Sequence, residues 1–356
     1  MEKEIDYKKN FSNKLSSNRF DIEQSQFYTK QNFIDLEKTK QYNCKSECSR
    51  IFVTGMGIED SKDSLSVIDV EFTNKDNNFT YKNICNLQPS RNTRGIDVNL
   101  KTRKIYVANI ALNTVSIFDM ENLEIIESVD VGANPFYIKV NPNTNIVYVA
   151  NSGSKFVSAI DGVTNKPIKK IFTNEGAVQS KIDIDLENNL IYVSNNGTDN
   201  ITVIDGITNE VIKYIKVRSY PSGIAVCNKY KKIYVGYNSS NSNFISILDF
   251  NTYEMLDEVT VEKRPQFMKL NKFTNLLYVS NTSDGTISVL DCRNDKLIRN
   301  FRVGVAPYDI AIDDKKNIIY VANHSSGDIS VIRGNDNTLL GTIKPNICGC
   351  WGISLS

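Results

Sequence analysis

Apolar residues alternate with small or polar ones in short bursts along the chain, the period of a pleated strand, and one burst recurs. IFVTG begins at 51, IYVAN at 105, VYVAN at 147, IYVSN at 191, IYVGY at 233, LYVSN at 277 and IYVAN at 319. The aromatic positions Phe52, Tyr106, Tyr148, Tyr192, Tyr234, Tyr278 and Tyr320 are spaced by 54, 42, 44, 42, 44 and 42 residues. Ten residues upstream of each of the last six lies the centre of another apolar-x-apolar strand: Ile96, Ile138, Ile182, Ile224, Met268 and Ile310. The first copy lacks this companion, because residue 42 falls in the polar KQYNCKSEC. The missing strand stands at the other end of the chain. WGISLS, residues 351–356, aligns with PYDIAI at 307 and puts Ile353 in the place of Ile310 and Trp351 in the place of Tyr308.

A third strand follows each IYVAN-like one, ending in Asp69, Asp119, Asp161, Asp205, Asp249 or Asp291, with Arg333 in the last copy. Sequences such as DGVTN and DGITN suit a turn, since Asp and Asn side chains bond the backbone two residues on. These aspartates read as turn formers rather than metal ligands. A fourth, KPIKKIFTN-like strand completes each repeat. Repeats of about 40 to 45 residues with four strands are the mark of propeller blades. The prediction is an all-β chain: a seven-bladed β-propeller of four-stranded antiparallel blades over residues 51–356. The C-terminal strand pairs into the first blade and closes the ring. Residues 1–50 are polar, carry no repeat and read as a partly disordered arm.

IYVAN followed by ISVID, with PxxIAV upstream, resembles the YVTN-type β-propeller repeat family of archaeal surface-layer proteins and bacterial exported propellers. The resemblance covers residues 51–356 and implies a rigid binding platform. Members of that family are commonly exported, whereas MEKEIDYKKNFSNKL has no apolar run, so a cytoplasmic location is expected here, with a cell or spore surface as the alternative. No stretch reaches the length of a membrane span.

The 42 basic and 41 acidic residues leave a net charge of +1, which argues against a general nucleic-acid or anionic-membrane binder. The single histidine, His324, excludes His-cluster metal sites and weakens a hydrolase reading, and the single tryptophan weighs against quinoprotein propellers. No GxSxG, P-loop or dinucleotide fingerprint is present. No cofactor and no metal are expected. Of the seven cysteines, Cys44, Cys48, Cys348 and Cys350 flank the closing seam. A joint zinc or disulfide site would need an arm running back along the blade, because a strand of about 17 to 20 Å separates the two pairs. Isolated reduced thiols are the expectation.

The best candidate for binding is the channel mouth, where the loop enters each innermost strand. Two positions before the anchors stand Arg94, Phe136, Ser180, Ser222, Gln266, Tyr308 and Trp351, with Tyr137, Tyr220, Arg264 and Phe267 beside them. Aromatics and arginines are the residue types that binding hot spots favour. One position after the anchors stand Asp97, Lys139, Asp183, Ala225, Lys269, Ala311 and Ser354, whose charges suggest an ion-pair ladder along the channel. The loops after the IYVAN copies vary, and KDNNFTYKN in the first repeat offers Phe79 and Tyr81 as a further surface. The leading expectation is a monomeric, non-catalytic scaffold for a protein or small-molecule partner. The alternatives are a propeller lactonase or hydrolase working through Asp97 or Asp183, and a surface structural protein.

Overall fold

The computed structural model describes residues 48–57, 63–72, 78–89, 92–174 and 176–356. The arm expected at the N-terminus lies outside these residues as far as position 47, as does Cys44. The described residues form seven antiparallel sheets. Blade 1 holds Cys48–Gly57, Asp63–Phe72 and Phe79–Leu87. Blades 2 to 7 open on the innermost strands Thr93–Asn99, Pro135–Asn141, Gln179–Asp185, Pro221–Cys227, Pro265–Asn271 and Pro307–Asp313. Each continues outward through three further strands in sequence order.

Ring closure follows the register that the repeats predict. Ile353–Leu355 pairs with Cys48–Gly57, placing Val53 opposite Ile353 and Ile51 opposite Leu355. Ile347–Cys348 pairs with the far end of the same strand. Backbone bonds from Trp351 N–H to Thr54 O and from Thr54 N–H to Gly352 O bridge the gap between the two pieces. The C-terminus is thereby the innermost strand of blade 1.

The core lies between blades rather than within one. Tyr106, Val115 and Ile117 of blade 2 pack on Ile138, Val140 and Val149 of blade 3. At the seam, Ile51, Val53, Ile68 and Val70 meet Tyr320, Ile329 and Val331 of blade 7 around Ile353. Each fully buried aliphatic side chain stabilises such an interface by roughly 1.5 to 3 kcal/mol. Motif residues serve these joints. Tyr148 donates to Asn209 Oδ1 at 2.8 Å and Tyr278 to Asn337 Oδ1 at 2.7 Å, each in the turn of the next blade. The motif asparagine holds the serine of the third strand, as Asn281 holds Ser288 at 2.7 Å. Blade 5 has Tyr237 there instead, and its hydroxyl bonds Ser246 at 2.8 Å. The aspartates of blades 2 to 6 are turn formers, as where Asp205 Oδ1 accepts the N–H groups of Ile207 and Thr208, whereas Asp69 lies inside its strand and pairs with Arg50 at 2.6 Å instead. Arg333 replaces that device with a two-pronged pair to Asp336.

Phe79 is half-buried against the seam and 5.9 Å from the Phe72 ring, so it belongs to packing, while Tyr81 is exposed. Cys48 is disulfide-bonded, which departs from the expected set of reduced thiols. Cys348 and Cys350 are free, so they form no disulfide with Cys48. No helix among the described residues is long and apolar enough to cross a membrane.

Candidate functional site: the charged channel

The ladder shifts register just before the anchor of every innermost strand from blade 2 to blade 7, as between Gln179 and Ile182 or Pro307 and Ile310. Two residues there oppose one, the geometry of a bulge, which re-aims side chains. A non-glycine residue with positive φ precedes the bulge in five blades: Asn92, Asn134, Tyr220, Arg264 and Ala306. Asparagine tolerates this conformation, whereas tyrosine, arginine and alanine pay on the order of 1 kcal/mol for it.

The bulges gather the mouth. Arg94, Phe136, Tyr137, Phe267, Tyr308 and Trp351 line one small cavity together with Gly95, Asp309 and Gly352. The Arg94 guanidinium lies 3.8 Å from the Trp351 ring centroid. His324 stacks on the same indole at 3.8 Å, and Tyr308 meets it edge-on at 4.9 Å. Tyr308 and Phe267 rings are 4.7 Å apart. The cavity measures only about 20 Å³, room for about one water. Tyr220 and Arg264 stand on the same end of the propeller but do not line it. Tyr220 is 54% exposed, and Arg264 Nε donates to Asn238 Oδ1 at 2.8 Å. Their positive φ places them before the bulge rather than in it. Ser180, Ser222 and Gln266 do not line it either, and Ser222 and Gln266 are buried.

The sequence reading did not pick out the pair that spans the ring beneath the aromatics. Lys181 Nζ is 2.6 Å from Asp309 Oδ1, with both side chains nearly inaccessible. The same ammonium sits 3.6 Å from the Tyr137 ring centroid and 4.6 Å from that of Phe267. Burial lowers the Lys181 pKa, against the opposing pull of Asp309. Both residues occupy the position immediately before the anchor, a column that otherwise reads Gly95, Tyr137, Gly223, Phe267 and Gly352. Two opposite charges in a column of glycine and aromatics were the available signal. Glycine is required at 95, because a Cβ would lie 2.7 Å from Tyr137 Cα of the next blade.

Deeper in the channel stand Asp97, Lys139, Asp183 and Lys269. They do not form the direct ladder that alternating signs suggested. Each carboxylate instead accepts a backbone N–H from the innermost strand of the following blade: Asp97 Oδ2 from Val140 and Asp183 Oδ2 from Val226, both at 2.9 Å. The channel edge of an innermost strand has no ladder partner for these N–H groups, and the carboxylates supply one. Asp97 Oδ1 also accepts the Ser354 hydroxyl at 3.2 Å, which ties the closing strand to blade 2. The lysines face each other. Lys139 is raised in pKa, its burial outweighed by Asp97 and Asp183. Lys269 is pulled down to about 8, first by the Lys139 charge and then by burial.

A cavity of about 210 Å³ opens between blades 4, 5 and 6, lined by Leu186, Val226, Cys227, Lys229, Leu270 and Lys272 among others. Val226 is the residue whose N–H holds Asp183, and Leu270 adjoins Lys269.

These features define a seven-bladed β-propeller with a charged channel, walled by aromatics at one end, and a separate cavity between blades 4, 5 and 6. A family model described as Lactonase, 7-bladed beta-propeller matches residues 232–345. No curated protein matches the chain in sequence. Hydrazine synthase of Kuenenia stuttgartiensis is similar in structure, with a TM-score of 0.64 and 18% identity over 79% of this chain and 94% of that one. A candidate 6-phosphogluconolactonase of Bacteroides fragilis aligns with a TM-score of 0.72 and 14% identity over 87% and 98%. A dihydro-heme d1 dehydrogenase in complex with DHE gives 0.61 and 14% over 83% and 63%. At these identities the likeness is one of fold.

Proposed function

We propose that the protein is a hydrolase of the lactonase type, acting on a small lactone that enters by the cavity between blades 4, 5 and 6. The observation that carries this reading is the grouping of Asp183 with the Lys139–Lys269 pair, next to a cavity of about 210 Å³. Lactone opening needs a base to take a proton from water, a cation for the carbonyl oxyanion, and an acid for the leaving alkoxide. Asp183 has one oxygen held by Val226 N–H and is the proposed base. Lys139, kept protonated by Asp97 and Asp183, is the proposed oxyanion partner. Lys269, with a pKa of about 8, is matched to proton donation near neutral pH. The partial match to a lactonase family model supports the same class. Lys229, Lys272 and Glu187 line the cavity, a net positive lining, and the Bacteroides fragilis neighbour suggests a phosphorylated sugar-acid lactone as the first to assay.

The test is continuous measurement of acid release from a panel of phosphorylated, carboxylated and neutral lactones. Hydrolysis above the spontaneous rate, falling about 100-fold or more in Asp183→Asn with the fold intact, is the expected result. A protein that accelerates none of them returns the chain to the scaffold reading. One observation favours that second reading: a mouth cavity of about 20 Å³ walled by aromatics presents a protein-facing surface rather than a ligand pocket.

A further inference from the structure

At five joints between blades the last residue of the innermost strand makes a side-chain hydrogen bond to the next blade, and in blades 4 and 7 that residue is Asp185, which accepts from Asn228, and Asp313, which accepts from Ser49. In blades 2, 3 and 6 the innermost strand ends in an asparagine whose amide donates to a turn asparagine of the next blade: Asn99 to Asn145, Asn141 to Asn189 and Asn271 to Asn317. Blade 5 ends instead in Cys227, and the matching turn residue, Asn275, faces it across the cavity of about 210 Å³. A thiol is shorter than a carboxamide and cannot span that gap, so the cavity opens at this joint. A second cysteine has arrived at the same place. Cys292, in the turn after Thr286–Asp291 of blade 6, occupies a position that is glycine at 162, 206 and 334. Both cysteines sit in one buried cluster with Tyr234 and Leu290. Lys232, opposite Cys227 in the ladder, donates to Cys292 O at 3.2 Å and to Asp295, fixing one strand against the other turn. Both thiols are free and buried from bulk solvent, and Cys227 lines the cavity.

We propose that Cys227 and Cys292 are a hydroperoxide-reactive dithiol site, Cys227 attacking through the cavity and Cys292 resolving the product as a disulfide between blades 5 and 6. The Cys227 sulfur attacks the terminal oxygen of a small hydroperoxide, the O–O bond breaks, and the alkoxide leaves with a proton as alcohol or water. Cys227 is then a sulfenic acid. The Cys292 sulfur attacks the Cys227 sulfur, the S–O bond breaks, and hydroxide leaves as water with the Cys292 proton. Two thiols are oxidised and one hydroperoxide is reduced. The division of roles agrees with the electrostatics. Cys227 is pulled down to about 7, first by Cys292, with help from the Tyr230 and Lys229 N–H groups and the Lys232 charge. Cys292 is pushed up by Cys227 and by burial. Cys85 and Cys350 are pushed up to about 11 and about 12, first by burial.

The experiment treats the intact, folded chain with hydrogen peroxide in small excess and maps cysteines by mass spectrometry without reduction. The expected result is a Cys227–Cys292 crosslinked peptide forming on the order of tenfold faster than any oxidation of Cys85 or Cys350. Cys292→Ser should accumulate a sulfenic acid at Cys227, trapped by dimedone, and Cys227→Ser should leave Cys292 reduced. Both thiols still reduced in the folded wild-type chain, at a dose that oxidises them after urea unfolding, would overturn the site. Cys227 passing to sulfinic acid without a crosslink would overturn the resolving role of Cys292.

Discussion

Lys181 and Asp309 stand on blades 4 and 7, 128 residues apart, and meet at 2.6 Å across the channel. Asp309 Oδ2 also accepts the Ile353 N–H at 3.5 Å, so the pair braces the ring at the closing strand. A buried pair of this kind is costly to break from one side, because the remaining charge keeps its desolvation penalty. Asp309→Ala should therefore destabilise the protein by about 3 to 5 kcal/mol. The double change Lys181→Met with Asp309→Leu should restore most of the loss. Equilibrium urea unfolding measures both. A double variant as unstable as the single one would show that packing, not charge, explains the cost.

Closure gives a second expectation. Ile353 lies in the seam cluster between blades 1 and 7, and its truncation to alanine leaves a cavity there. The expected loss is about 2 to 5 kcal/mol. Removing residues 351–356 also deletes the bonds from Trp351 N–H to Thr54 O and from Ser356 N–H to Arg50 O. The shortened chain should melt far below the full one in calorimetry. Identical melting would mean that the ring does not depend on its last strand.

How much of this was legible follows from what repeats. Ile353 could be assigned to blade 1 from sequence because the anchor column is fixed by burial, and burial follows apolar pattern. The mouth aromatics Phe136, Tyr308 and Trp351 were legible for the same reason, as one column of the alignment. Lys181 and Asp309 were not, because a bulge turns two adjacent columns toward the channel, and strict alternation assigns only one of them. Asp97 and Asp183 looked like partners of Lys139, since sequence shows charge but not the unpaired N–H groups of Val140 and Val226 that claim them. The cavity between blades 4, 5 and 6 was invisible for a different reason: it lies beside Cys227, where blades 2, 3 and 6 end the same strand in an asparagine.

Trp351 is the only tryptophan in the chain and touches both Arg94 and His324, so its fluorescence reports the mouth directly. Burial lowers the His324 pKa below its ordinary value, with the Arg94 charge acting in the same direction. His324 is then neutral at pH 7. On acidification it should protonate with a midpoint below about 6.5 and quench the stacked indole. His324→Ala should abolish that step. Its unfolded pKa exceeds the folded one, so this group makes the fold lose stability as pH falls through about 6.5. A fluorescence midpoint above 7 would contradict the burial of the ring.

Lys269 provides the sharpest test of the channel electrostatics. Its folded pKa is about 8, against an ordinary value of 10.5 in the unfolded chain. Between those values the unfolded chain holds a proton that the folded one has released. Stability must therefore rise with pH in that window, by up to about 1.4 kcal/mol per pH unit from this group alone. Lys139 is raised rather than lowered, so its contribution is lost only above its ordinary 10.5 and leaves the window untouched. Cys227 titrates at the lower edge, near 7, but does so equally in wild type and in Lys269→Met, and the difference between the two proteins cancels it. Urea unfolding at pH 7.5, 8.5 and 9.5 should give a steeper rise for wild type than for Lys269→Met. Parallel curves would mean that Lys269 keeps its proton in the folded channel, and the proposed acid for lactone opening would then lose its physical basis.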